Sequence, residues 1–266
     1  MVNQATRELL LRLADRYETA SFIEGDPSWW MHQVDGEANR EATAFVAQAL
    51  SYGSRSQFMP KIGHLLALAN GDMHRWIASG AYSANFSPDD RSSYYRLYSH
   101  AAMRRFFDAY RALLDEYGTL GGFITENGRK YSAKGTKGTD NNAAQPTAIE
   151  AVEAICHWFA SHQASDTIPK DTTSACKRIC MFLRWMVRSG SPVDLGLWAD
   201  RIDRRTLIMP LDTHVVSEAM KLDLLSSRCA SMSAARRLTA AMAEIFPDDP
   251  LRGDFALFGY GVNQQI

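Results

Sequence analysis

The chain has 266 residues, 46% of them hydrophobic and 22% charged, a balance that excludes wholesale disorder and allows one large domain or two small ones. Lys and Arg (29) nearly cancel Asp and Glu (30), which excludes a uniformly basic nucleic-acid coat but not a local basic face. Four cysteines (Cys156, Cys176, Cys180, Cys229) are too few for a disulfide framework, no apolar run reaches bilayer length, and the start, MVNQATRE, is too polar for a secretory signal; a reduced cytoplasmic protein is expected.

The elements then read as helices in chain order. Residues 6–18 place Leu9, Leu10, Leu13 and Tyr17 on one face, at the spacing of an amphipathic helix. Residues 38–51 carry Phe45, Val46, Ala49 and Leu50 at the same period, and another helix is predicted over 57–69. Residues 99–117 form a strongly amphipathic stretch after a Ser-His start. Residues 146–162 open on Pro146-Thr147, and proline suits a first turn. Helices over 172–188, 213–225 and 231–246 follow, the last stopped by Pro247. Asp248-Asp249-Pro250 caps a final helix ending near Gly259. No run of alternating strands competes, so the expected fold class is all-α. The segment 128–145, GRKYSAKGTKGTDNNAAQ, predicts a mobile surface loop. Its Arg129, Lys130, Lys134 and Lys137 either face a phosphate backbone or are simply solvated.

Charge is unevenly spread. Residues 1–45 hold four basic and eight acidic side chains, whereas 170–205 hold eight basic and four acidic ones. An acidic start and a basic centre suit an anionic partner at the centre, although such a cluster is also what a solvated face looks like.

Two pieces of the centre carry chemistry. In IPKDTTSACKRICMFLRWMVR, residues 168–188, Asp171, Thr172 and Thr173 are good N-cap residues, so a helix is expected to begin beside Lys170. The unpaired N–H groups of such an end can hold a phosphate. Lys177 falls in its first two turns, near the apolar stripe of Ile179, Phe182, Leu183 and Met186. An amine that loses solvation there is driven toward its neutral, nucleophilic form. Cys176 and Cys180 read as small core residues, and no metal site is expected. In LIMPLDTHVVSEA, residues 207–219, an apolar approach delivers Asp212 to the mouth of a helix. That carboxylate is either a reacting group where water is scarce or an N-cap and nothing more.

These residues resemble a known superfamily. Pro210-Leu211-Asp212-Thr213-His214-Val215 is similar to the (V/L)-D-T-H-V motif of the helix-hairpin-helix DNA glycosylases. Residues 173–179, TSACKRI, align on that superfamily's hairpin, G-x-G-x-K-T-A, with Lys177 at the lysine of its bifunctional members. Residues 45–61 resemble its early LLSAQT helix and the DNA-facing loop after it, where this chain has Gly53-Ser54-Arg55. The likeness spans residues 40–262 and is greatest to an uncharacterised bacterial family with KRICMFLRWMVR, VDLGLW, PLDTH and DP…DFALFGYG, usually placed near the archaeal 8-oxoguanine DNA glycosylases. Thr173 and Ala175 stand where the hairpin has glycines, and no four-cysteine cluster follows Cys229.

The resemblance implies a two-lobed helical fold, with lobes over 40–165 and over 1–39 plus 213–266, and the hairpin segment 168–188 at the cleft. It implies double-stranded DNA with a damaged, 8-oxoguanine-like purine as partner, and neither a membrane nor an obligate protein partner is expected. The nucleotide would be flipped into a pocket. Lys170, Thr172, Thr173, Arg178, Arg184 and Arg55 would hold phosphates. Lys177 would attack the sugar C1′ and form a Schiff base, and Asp212 would stabilise the cationic sugar and take the lysine proton. Trp185 and Trp198 would stack on the base, or else lie in the core. His214 would be an acid, or else a structural partner. No cofactor is implied, because neither the imine route nor the sugar-cation route uses a metal or nucleotide. Two alternatives stay open: a lesion-recognition protein that binds DNA without chemistry, and a helical protein of unrelated function.

Overall fold

The computed structural model describes residues 2–130 and 145–263. Helix α1 (Gln4–Tyr17) begins where Asn3 accepts a hydrogen bond from the Thr6 N–H at 2.8 Å, which satisfies one of the donors a helix start leaves open. Helices α2 (Glu37–Leu50), α3 (Arg55–Leu68) and α4 (Met73–Ala78) follow, and then a short antiparallel hairpin, β1 (Ser93–Tyr95) and β2 (Tyr98–Ser99), with Ser93 opposite Ser99 and Tyr95 opposite Tyr98. The Ser99 hydroxyl accepts from the Ala102 N–H and starts α5 (His100–Tyr117). Next come α6 (Leu120–Asn127), α7 (Ala148–Ser161), α8 (Lys177–Val187), α9 (Thr213–Lys221), α10 (Met232–Ile245) and α11 (Arg252–Asn263). The described residues are thus mostly helical, as an all-α class requires, and the hairpin is an addition to that expectation. Residues 131–144, most of the segment expected as a loop, lie outside the described residues.

The chain divides into two units. Residues 1–23, 147–149 and 172–266 form the first, and 24–146 with 150–171 form the second. The expected lobe boundaries therefore change. Residues 24–39 belong with the second unit, where the turn over Pro27–His32 packs on α2, and the segment 172–188 belongs to the first. The first unit is organised by α11, which packs on α1 and α9. The packing is close: a side-chain carbon at Gly259 would stand 2.4 Å from the Tyr17 ring.

The second unit is built round α2, in which every residue from Glu41 to Leu50 is buried. Phe45 meets Phe106, Tyr110 and Phe159 at centroid distances of 5.0–5.9 Å, so aromatic rings of α2, α5 and α7 interlock. Glu41 is buried as well, and its two carboxylate oxygens accept the N–H groups of Leu120 and Gly121 at 2.7 and 3.0 Å. A carboxylate from α2 therefore supplements the Thr119 cap of α6, on the favourable end of its dipole. Glu41→Ala is expected to cost about 2–3 kcal/mol in urea denaturation, because two buried donors lose a charged acceptor; a cost below about 0.5 kcal/mol would mean that water replaces it.

Candidate functional site

Lys177 is the first residue of α8, and the helix starts later than the caps at Thr172 and Thr173 suggest. Residues 171–174 instead make a turn, and Cys176 enters the helix in the left-handed region, φ 45°, with no side-chain cap. A side chain in that region costs about 1–2 kcal/mol. Thr173 and Ala175 do not have positive φ, so the backbone torsions there do not require the glycines of the resembled hairpin. The first turn of α8 holds no acidic residue and begins with Lys177 and Arg178, both half-buried. Two cations thus stand at the positive end of a helix dipole, the opposite of the stabilising arrangement. This makes the end electropositive and suited to an anion. Lys170 is exposed nearby in sequence, Thr172 is half-buried and Thr173 exposed.

Asp212 is the N-cap of α9. Its Oδ1 accepts from the Val215 N–H at 2.7 Å, and the residue is half-buried. The approach is apolar as expected: Leu207, Ile208, Met209 and Leu211 are 5% exposed or less. Lys177 and Asp212 belong to one unit and each stands at a helix start. His214 lies edge-on to Phe258, with centroids 5.9 Å apart, a packing role against α11.

One expected phosphate contact is corrected, and the choice left open for the two tryptophans is decided for the core. Arg184 does not face a phosphate. Its side chain is 4% exposed, its Nε donates to Asp194 at 3.2 Å, and its Nη1 donates to Asp254. Trp185 and Trp198 are 0% and 1% exposed, and Trp198 stands edge-on to Phe182 at 5.3 Å. Both rings are therefore core residues with no face left for a base, Trp185 because it falls on the inward side of α8 and Trp198 because it packs on Phe182 of that helix. Arg55 is half-exposed and 3.6 Å from Asp26, so its charge is shared with a carboxylate.

The basic centre shrinks accordingly. Arg188, one turn after Arg184, is also buried and is neutralised by Asp194, Asp249 and Glu18. Arg184 and Arg188 lie over the Phe255 ring at 4.4 and 5.1 Å. Arg252 joins the network through Glu18 and Asp15. The acidic start of the chain therefore neutralises part of its basic centre inside one unit. Sequence reading missed this charged core; its one local sign is the pair of arginines four apart, Arg184 and the C-cap Arg188, along the apolar second half of α8.

The sequence profile of the DUF2400 family, described as proteins of unknown function, matches residues 26–263. The chain belongs to the DUF2400 family. No curated protein and no solved structure matches it. In this DUF2400 chain no described helix is long and apolar enough to cross a membrane.

The charged core of this DUF2400 member also sets a pH response. Burial pushes the Asp254 carboxyl up to about 6, against the pull of Arg184 and with help from the charges of Asp212 and Asp194. A folded value above the ordinary 3.8 means that the native state holds this proton more tightly, so its contribution to stability falls as pH rises through 6. Glu18 acts oppositely: burial raises it, but Arg188 and Arg252 outweigh that and hold it below 4.5, so its stabilisation is lost in acid. The Asp254 contribution declines from about pH 3.8 and is spent above about 6, whereas that of Glu18 is complete above 4.5 and is lost in acid, so between about 4.5 and 7 the pair together lose stability as pH rises. Melting temperature measured from pH 5 to 7 should fall, and the fall should be shallower in Asp254→Asn. An unchanged slope in the variant would remove Asp254 as its source.

Proposed function

We propose that this protein is a base-excision DNA glycosylase with AP-lyase activity, acting on a damaged purine of the 8-oxoguanine kind. The observation that carries the reading is the placement of Lys177 as the first residue of α8 and of Asp212 as the N-cap of α9 in one unit. They are the two residues that the likeness to helix-hairpin-helix glycosylases picks out. A duplex would present the flipped nucleotide, with phosphates near Lys170, Arg178 and the turn at Thr172 and Thr173. The Lys177 amine forms a bond to C1′ as the bond from C1′ to the base breaks, and the base leaves with the electron pair. Asp212 accepts the ammonium proton and faces the positive charge that develops on the sugar. Opening of the sugar ring gives the imine, from which loss of the 2′ proton expels the 3′ phosphate. These steps use no cofactor.

Borohydride trapping on lesion-bearing duplexes tests this directly. A covalent adduct is expected with an 8-oxoguanine or related purine duplex, and its loss in Lys177→Ala with folding intact. No adduct with any of several lesions would overturn the lyase reading. A second reading, binding without chemistry, is favoured by Thr173 and Ala175 in the hairpin turn, since a Cβ keeps a phosphate farther from the backbone than glycine does. It predicts salt-dependent duplex affinity with no adduct and no base release.

A further inference from the structure

Two thiols flank Lys177 on one turn of the first unit. Cys176 caps α8, and Cys180 follows one helical turn later, its N–H donating to the Cys176 carbonyl at 3.0 Å. Both residues are buried, at 3% and 1% exposure. The Cys180 sulfur reaches back to the Ala175 carbonyl, 3.6 Å away, and so lies beside the residue bonded to Cys176. The two thiols are near enough to interact: burial first, and then the charge of Cys176, push the Cys180 thiol up. Residues one turn apart on a helix have β-carbons about 5–6 Å apart, and a disulfide needs about 3.8 Å. A small tightening of this turn brings the pair into bonding range, and the turn is already under strain, because Cys176 has φ 45°.

The two sulfurs differ in reach. Cys176 Sγ is 3.7 Å from the hydroxyl of Ser174, which is exposed. Cys176 also stands at the electropositive end of α8, beside the half-buried Lys177 and Arg178, a setting in which cysteines react. Cys180 lies deeper, between the buried Ile179 and the apolar second half of the helix, and reacts second.

We infer that Cys176 and Cys180 form a redox pair, closed into a disulfide by a hydroperoxide and reopened by a dithiol, and that closure displaces Lys177. With hydrogen peroxide, the Cys176 sulfur attacks one oxygen, the O–O bond breaks, and a sulfenic acid and one water result. The Cys180 sulfur then attacks the sulfenic sulfur, the S–O bond breaks, and a second water leaves as the S–S bond forms. Two thiols are oxidised, one peroxide is reduced, and both thiol protons leave in water. Lys177 is bonded to Cys176, so the tightened turn carries its amine with it. A displacement near 1 Å costs a positioned group about a hundredfold in rate. For that consequence the inference rests on the glycosylase reading.

The test treats the full chain with hydrogen peroxide, removes the excess, blocks remaining thiols with iodoacetamide and digests with trypsin. Trypsin cuts after Lys170, Lys177, Arg178 and Arg184, so a closed pair joins peptides 171–177 and 179–184. That joined species is expected, and dithiothreitol should part it. Exposed Cys229 reports that the oxidant acted. In Cys180→Ala, Cys176 should stop at the sulfenic acid, which dimedone traps. Oxidised Cys229 with Cys176 and Cys180 both alkylated, or Cys176 joined to another cysteine instead, would overturn the inference. On an 8-oxoguanine duplex, closure should slow borohydride trapping about a hundredfold, reversibly, and Cys180→Ala should not respond to peroxide. Trapping that is unchanged by closure would overturn the effect on Lys177. A reversible bridge in a chain that gives no adduct even when reduced would leave the redox pair standing while the catalytic reading fails.

Discussion

On the glycosylase proposal, Asp212→Asn is expected to lower base excision by about 10²–10⁴-fold while leaving the fold in place. The two roles open to Asp212 separate cleanly in this variant. As an N-cap, the residue needs only an oxygen that accepts from the Val215 N–H, now 2.7 Å away, and asparagine serves as well as aspartate. As a catalytic carboxylate it needs a negative charge facing the sugar and a site for the lysine proton, which asparagine lacks. Single-turnover excision and thermal melting on the same preparation read both roles. Asp212→Ala should lose activity equally and also cost about 1 kcal/mol of stability. Undiminished excision in Asp212→Asn would leave Asp212 a cap alone. A third readout is electrostatic. The charge of Asp212 is one of the causes that raise Asp254, so the pH dependence of stability should shift to lower pH in the same variant.

Asp194→Ala should destabilise the chain by about 3–5 kcal/mol, a large part of the roughly 5–15 kcal/mol typical of a folded domain. The Asp194 side chain is 0% exposed and accepts from both Arg184 and Arg188. Without it, two guanidiniums remain buried with fewer compensating oxygens, and burial makes an uncompensated charge costly. Asp166, which pairs with Arg105 where both side chains are more than a third exposed, is the control. Asp166→Ala should cost less than about 1 kcal/mol, since water screens an exposed pair. Urea denaturation of both variants measures the difference, and equal costs would show that the buried network does not hold the first unit together.

Much of the helical framework was legible because its causes are local. The period of α5, the cap at Ser99, and the apolar approach to Asp212 can each be read within a few residues, and each lies where the pattern puts it. The short α4 has too few turns to show a period, and α6 contains Gly121 and Gly122 and relies on Glu41, about eighty positions away, to accept two of its N–H groups. The start of α8 was misplaced for a related reason. Asp171, Thr172 and Thr173 all suit a cap, but the left-handed Cys176 delays the helix to Lys177.

The sequence by itself determined that this chain is helical, where most of its helices lie, and that Asp212 stands at the mouth of one of them. Tertiary structure alone decided which charges are available to a partner. Arg184 and Arg188 look like a solvent-facing basic pair until Glu18, Asp249 and Asp254 arrive from the far ends of the chain to enclose them. Helix periodicity and capping act over one or two turns, whereas the burial of a charge depends on where distant carboxylates come to rest.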